Sequence, residues 1–204
     1  MLDHIDDTAP AAALVLHWCP HPCWPVSHNL RCALALLRAG ASAVLLARSG
    51  AGRSYRHVVF PSDLSASSLA CLQRAVRMLP QARITLLHAC RVSGEGSMRM
   101  AGVGDAALED CRRRAERRAR SACSGFAARA APGDPRRLAT RVLLLRQPWA
   151  AAVAAHAALA RADLLVLGLA GGGPLASWRC KAAMRRLLRR TDCDLLLLAA
   201  EHAD

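Results

Sequence analysis

Residues 17–24 read HWCPHPCW, and the chemistry they could do is metal binding. Cys19 and Cys23 bracket His21, and His28 and Cys32 follow shortly after. Thiolate and neutral imidazole are ligands that zinc prefers, and Cys19-x3-Cys23-x4-His28-x3-Cys32 offers four of them. His28 and Cys32 share a face if their segment is helical. Against zinc, the spacing matches no standard finger. A disulfide loop or reduced thiols at a turn would use the same residues without metal. A second pair, Asp63 and His88, could move protons. Both stand at the ends of apolar runs, so one sheet edge would bring them together. No Gly-x-Ser-x-Gly nucleophile motif accompanies them. His88 reads more simply as a hydrogen-bonded strand-end residue, and no enzymatic role is expected.

These groups need a scaffold. The chain has 204 residues, enough for one α/β domain and part of another. Hydrophobic residues make up 53% and aromatics only 3%, so the core must be aliphatic. The nine cysteines are an odd number, scattered through apolar patterns. They read as small reduced side chains rather than a disulfide framework. No apolar run reaches the roughly 18 residues of a membrane span. The N-terminus carries Asp3, Asp6 and Asp7 where a secretory signal would be basic, so a cytoplasmic location is expected. The net charge is +13, and Lys181 is the sole lysine among the basic residues. Such an excess permits binding to nucleic acid or other anions. Few aromatics leave little for base stacking, and no helix-turn-helix or finger pair is visible. Solvated arginine faces explain the charge more simply, and nucleic acid is not an expected partner.

Seven apolar runs read as strands: 12–18, 43–49, 57–61, 83–90, 140–145, 163–169 and 194–200. Most are continuous rather than alternating, the pattern of a parallel sheet covered on both faces. Leu69, Leu72, Val76 and Leu79 recur at helical spacing, with Asp63 and Ser65 as N-cap candidates. In 111–126 one face carries Cys111, Ala115, Ala119, Ala122, Cys123 and Phe126, and arginines fill the rest. Residues 148–161 and 178–190 are two further helices, the first opened by Pro148. Residues 91–110 read as a long glycine-containing connection, either a lid or a surface loop. From residue 56 the order β-α-β-α-β-α-β-α-β predicts a doubly wound, five-stranded parallel α/β domain.

The N-terminal part repeats the C-terminal part. Residues 13–47 align with 164–198 at an offset of 151 without a gap. Leu14-Val15-Leu16 match Leu165-Val166-Leu167, Leu36-Leu37-Arg38 match Leu187-Leu188-Arg189, and Leu45-Leu46 match Leu196-Leu197. Residues 11–49 then read as the last strand–helix–strand of a mostly missing domain, with GAGRSY (50–55) as linker. The expected units are a half-domain remnant with its linker over 1–55 and a full domain over 56–204. The repeat sets HWCPHPCW opposite the glycine-rich stretch that begins at Gly168. Pro20, Pro22 and Pro25 there lack the N–H groups a phosphate would need.

Three stretches carry a family resemblance: HVVFPSDLSASSLACLQRAVRML, ARITLLHAC and DLLVLGLAGGGPLASWRCKAAMRRLLRRTDCDLLLLA. Over residues 56–200 the chain resembles the universal stress protein family, and AVLLARSGAGRSYRHVVFPSDLS looks like the junction between tandem members. The ATP-binding branch of that family carries Gly-x2-Gly-x9-Gly-Ser/Thr. Gly168 and Gly171 match its first two glycines, but Lys181 and Ala182 stand where glycine and a hydroxyl belong. The resemblance therefore implies a regulatory, binding role in stress response through protein–protein contact, with a degenerate nucleotide loop. No cofactor is certain. The alternatives are retained ATP or AMP binding, with weak ATP hydrolysis left open, and a basic nucleic-acid- or anion-binding module. If a nucleotide binds, Pro61, Ser62 and Asp63 would lie near base or ribose, and the backbone of Ala89 or Cys90 near adenine. Gly168, Gly171, Gly172 and Gly173 would then face the phosphates, with Lys181 as a phosphate partner. A plain turn without ligand fits the same loop. The family also pairs domains through their last strands. Strand 43–49 is expected to pair antiparallel with 194–200, within the chain as a pseudo-dimer or across a homodimer.

Overall fold

The computed structural model describes residues 14–17, 26–48, 54–169 and 178–199. Cys19, Cys23 and the Gly171–Gly173 loop lie outside them. Seven strands form one sheet: β1 (Leu14–His17), β2 (Ala43–Ala47), β3 (His57–Ser62), β4 (Arg83–Cys90), β5 (Leu138–Leu144), β6 (Leu164–Leu169) and β7 (Asp194–Ala199). The helices are α1 (Val26–Arg38), α2 (Ala66–Met78), α3 (Glu95–Met100), α4 (Asp105–Ala130), α5 (Trp149–Leu159) and α6 (Trp178–Leu188).

The strand order is β1-β2-β7-β6-β3-β4-β5. Neighbours within β7-β6-β3-β4-β5 are all parallel. The chain enters at the central β3, winds out to β5, returns to β6 beside β3, and ends at β7. The winding direction thus reverses between β3 and β6, which leaves a crevice at their C-terminal ends.

Two apolar layers sandwich the sheet. Phe60, Leu72, Ile84, Leu86, Cys123 and Phe126 pack on the α2/α4 side. Leu30, Leu46, Val59, Leu87, Val153 and Leu187 pack on the α1/α5/α6 side. Coverage on both faces is why β6 and β7 read as unbroken Leu-Val runs.

Residues 91–110 differ from the expected loop. They hold α3 and the first turn of α4. Asp105 sits in the first turn of α4, where a carboxylate complements the helix dipole. Ion pairs Glu109–Arg112, Asp110–Arg113 and Glu116–Arg120 then run along the helix at supporting spacings. The buried line of α4 is Leu108, Ala119, Cys123, Phe126 and Ala130, while Ala122 is exposed. Pro148 proves to be the N-cap of α5 rather than a residue of its first turn.

The N-terminal unit follows the repeat closely. At the offset of 151, β1, α1 and β2 fall on β6, α6 and β7 within two residues at each end. The parallel registers agree as well: Leu14 pairs with Val44, and Leu165, its repeat mate, pairs with Leu195. Strand β2 joins the domain antiparallel to β7, in the register Val44↔Leu197, Leu45↔Leu196 and Leu46↔Leu195. Leu45 and Leu196 are themselves repeat mates, so a pseudo-twofold axis passes between them. A contact in which i meets the mate of j and j the mate of i is what an isologous interface produces.

Two acids, one of them buried, fix the chain on either side of the linker. Asp194, 3% exposed, accepts from the Arg48 N–H at 2.7 Å and the Tyr55 hydroxyl at 2.8 Å. The Arg48 guanidinium donates to the Leu188 carbonyl at the end of α6. Asp163 accepts from the N–H groups of Arg56 and His57 at 2.7 and 3.0 Å, setting the start of β3.

Candidate functional site

At the β3/β6 reversal lies a cleft of about 390 Å³, within the range of small-molecule sites. Six segments supply its walls. The end of β3 and the following turn give Pro61, Ser62 and Asp63, and α2 adds Ser67 and Ser68. Strand β4 contributes His88 and Ala89, β6 contributes Gly168, and the helices α5 and α6 close it with Trp149 and Met184.

The β3–α2 turn is held by its own hydroxyls. Ser62 Oγ accepts from the Leu64 N–H at 2.9 Å and shares a hydrogen bond with Ser68 Oγ at 2.7 Å. Asp63 Oδ1 accepts from the Ser65 N–H at 3.0 Å, and Ser65 Oγ caps α2 by accepting from the Ser68 N–H at 3.2 Å. Ser65 is thus the N-cap, and Asp63 supports the turn before it. Leu64 takes φ 63°, a left-handed conformation uncommon for leucine, so this network holds a costly backbone in place.

His88 Nδ1 lies 3.0 Å from the Ser62 carbonyl. A carbonyl only accepts, so Nδ1 carries the proton, and in the neutral ring Nε2 keeps a lone pair. The histidine therefore engages backbone rather than a serine hydroxyl. His88 and Asp63 do share the cleft, as their strand-end positions predict.

Gly168 has a packing reason independent of any ligand. A Cβ there would stand 2.8 Å from Cys71 Cβ and 3.4 Å from Phe60 Cζ. Its missing side chain lets α2 sit close on the sheet. Gly168→Ala is expected to cost about 1–3 kcal/mol through forced displacement of α2. Urea unfolding would read it as a lowered midpoint at unchanged slope.

Of the residues singled out from sequence, Pro61, Ser62, Asp63, Ala89 and Gly168 come together in this cleft. Cys90 is not among the lining residues, and burial pushes its thiol up from the ordinary range. The backbone of Lys181 lies in α6, and its side chain is outside the described set. Gly171, Gly172 and Gly173 fall outside the described residues altogether. Sequence reasoning missed Ser67, Ser68, Trp149 and Met184. The serine run after Asp63 and a tryptophan beside Pro148 in a chain poor in aromatics were the available signals.

On α1, His28 Nε2 and Cys32 Sγ are 3.4 Å apart and partly buried. Their intended co-ligands, Cys19 and Cys23, lie outside the described residues. Among the described residues no cluster of three metal-type side chains occurs, and no helix is long and apolar enough to cross a membrane.

A central first strand, outward winding in both directions and a cleft at the reversal define a doubly wound α/β protein with a small-molecule crevice. The universal stress protein family model matches residues 54–199, and the chain belongs to that family. Among solved structures, a universal stress protein from Archaeoglobus fulgidus DSM 4304 superposes with a TM-score of 0.54 at 10% identity, over 95% of this chain and 62% of that one. A functionally unknown protein from Pseudomonas aeruginosa gives 0.53 at 14% identity, over 93% and 63%. A universal stress protein in complex with cAMP gives 0.49 at 19% identity, over 73% and 100%. The chain thus spans somewhat under two thirds of the first two. No curated protein matches it significantly.

Proposed function

We propose that this chain is a regulatory binding protein rather than a catalyst, and that its cleft takes the nucleoside end of an adenine nucleotide, AMP in preference to ATP. The observation that carries this is the composition of the cleft wall. Its described lining has serine hydroxyls, one carboxylate and the Trp149 ring, but no guanidinium or ammonium group. Hydroxyls and an aromatic surface suit ribose and base. A triphosphate would need the open glycine and the hydroxyl of the family pattern, which Lys181 and Ala182 replace. Binding rather than turnover is supported by the serine hydroxyls, which are engaged with one another and with the turn backbone. Calorimetry with AMP, adenosine and ATP tests the assignment. AMP is expected to bind this cleft with a dissociation constant below about 1 mM, and ATP to displace AMP from it no more tightly than AMP itself binds. If all three bind more weakly than that, the cleft is not a nucleotide site.

A second observation favours an intramolecular pseudo-dimer. The isologous β2–β7 register supports reading 1–55 as a remnant of a second domain, with β2 at the pairing edge of β7. The overlay on longer chains, reaching 93–95% of this one, supports the same assignment at the level of fold. Protein contacts of this chain would then be made elsewhere than at β7.

A further inference from the structure

We propose that the cleft beneath α3, at the C-terminal ends of β4 and β5, is a binding site for a small multivalent phosphate anion, distinct from the serine-lined cleft. Three chain segments converge on it. Strands β4 and β5 run parallel to their last residues, with Cys90 opposite Leu144 and the Leu145 N–H donating to the Cys90 carbonyl at 2.8 Å. Arg91 and Arg146 follow on neighbouring strands, which lie about 5 Å apart in such a sheet. Over them, α3 contributes Arg99 and Glu95, and α4 contributes Arg112, around an open cleft of about 650 Å³.

The charges are organised rather than merely numerous. Arg112, only 13% exposed, is gripped by Glu95 and by Glu109, the latter at 3.1 Å. Arg99 also donates to Glu95, at 3.2 Å. These carboxylates orient two of the guanidinium groups and join α3 to α4. Arg91 and Arg146 form no ion pair or hydrogen bond among the described residues. Both are exposed and line the cleft. Four guanidinium groups thus surround one lining carboxylate, leaving a strong positive excess in a concave site. Guanidinium forks bond phosphate oxygens two at a time, and neighbouring forks suit linked phosphates better than a single one. The location agrees with the chemistry, since open α/β sheets bind ligands at the carboxyl ends of their strands.

Calorimetry of the full chain at low ionic strength, with inorganic triphosphate as probe and monophosphate beside it, tests the site. Triphosphate is expected to bind, monophosphate at least about tenfold more weakly, since one phosphate engages fewer forks. The variant Arg91→Gln/Arg146→Gln is expected to weaken triphosphate about tenfold or more. Arg189→Gln/Arg190→Gln removes the same charge from exposed positions after α6 and is expected to leave affinity within about twofold. Failure of the natural chain to bind triphosphate overturns the proposal. So does equal weakening by the two variants, which would reduce the effect to net charge. AMP affinity, measured on the same proteins, belongs to the other cleft and is expected to be unchanged in both variants.

Discussion

Removing residues 1–52 is expected to leave a chain that self-associates through β7. In the intact protein Leu195, Leu196, Leu197 and Leu198 are all at most 2% exposed, and β2 supplies one side of that protection. Without β2 the strand would present its unpaired backbone groups beside four leucines, an edge that recruits any complementary strand. Helix α6 would also lose α1, and with it Leu30, Leu34, Val44 and Leu46 from the second apolar layer. Each such side chain contributes about 1.5–3 kcal/mol on burial. The loss therefore rivals the whole stability of a domain, about 5–15 kcal/mol. Light scattering is expected to show a dimer, paired β7 to β7, or larger species, with reduced soluble yield. A truncated chain that stays monomeric, with an unchanged denaturation midpoint, would show that the N-terminal unit is an appendage and not a replacement for a partner.

Asp194→Ala is expected to destabilise the intact protein by about 3–4 kcal/mol, because hydrogen bonds to a charged group are each worth about 1.5–3 kcal/mol. The carboxylate holds the Arg48 N–H, just before the linker, and the hydroxyl of Tyr55, its last residue. Its removal leaves a backbone donor and a phenol without their acceptor beside the apolar packing of β2 on β7. Asp194→Asn keeps an acceptor oxygen and should recover part of the loss. Urea unfolding followed by circular dichroism distinguishes the cases. A midpoint unchanged in Asp194→Ala would mean that the linker ends are held by apolar packing alone. The joint has a second polar tie on the α2 face. Arg74 donates to the carbonyl and hydroxyl of Ser42 at 3.0 and 2.6 Å, just before β2. The two ties lie on different elements, so their effects should add.

Much of the fold was legible because it is local. Continuous Leu-Val runs mark strands buried on both faces, and all seven runs became strands, with ends shifted by up to two residues. The helix after Ser65 was legible from periodicity and a capping residue, and Ser65 does cap it. Helix α3 was not legible: its six residues contain Gly96 and bury no side chain, so no apolar period announces it. The start of α4 was hidden for a related reason. Only Leu108 is buried in its first turns, and the stabilisation there comes from ion pairs that a charged loop could equally carry.

The candidate site divides along the same line. Pro61, Ser62 and Asp63 stand in a turn that sequence alone marks, and Ala89 ends a strand that sequence alone marks. Trp149 and Met184 reach the cleft from helices on the other face, a placement set by where α5 and α6 pack. Gly168 shows the reverse. Sequence made it a phosphate-loop residue, and the structure adds a close helix–sheet contact that would demand glycine with no ligand present.

By itself the sequence determined the alternation of strands and helices, the family, and the internal repeat. Each of these is written in neighbouring residues or in matching stretches of chain. The antiparallel pairing of 43–49 with 194–200 was already expected from the family resemblance; tertiary structure decided its register, Leu45 against Leu196 within one chain, and the gathering of Arg91, Arg99, Arg112 and Arg146 around one cleft. Those depend on which distant strands and helices become neighbours. That choice is made by burying both faces of the whole sheet at once, and no local window of sequence contains it.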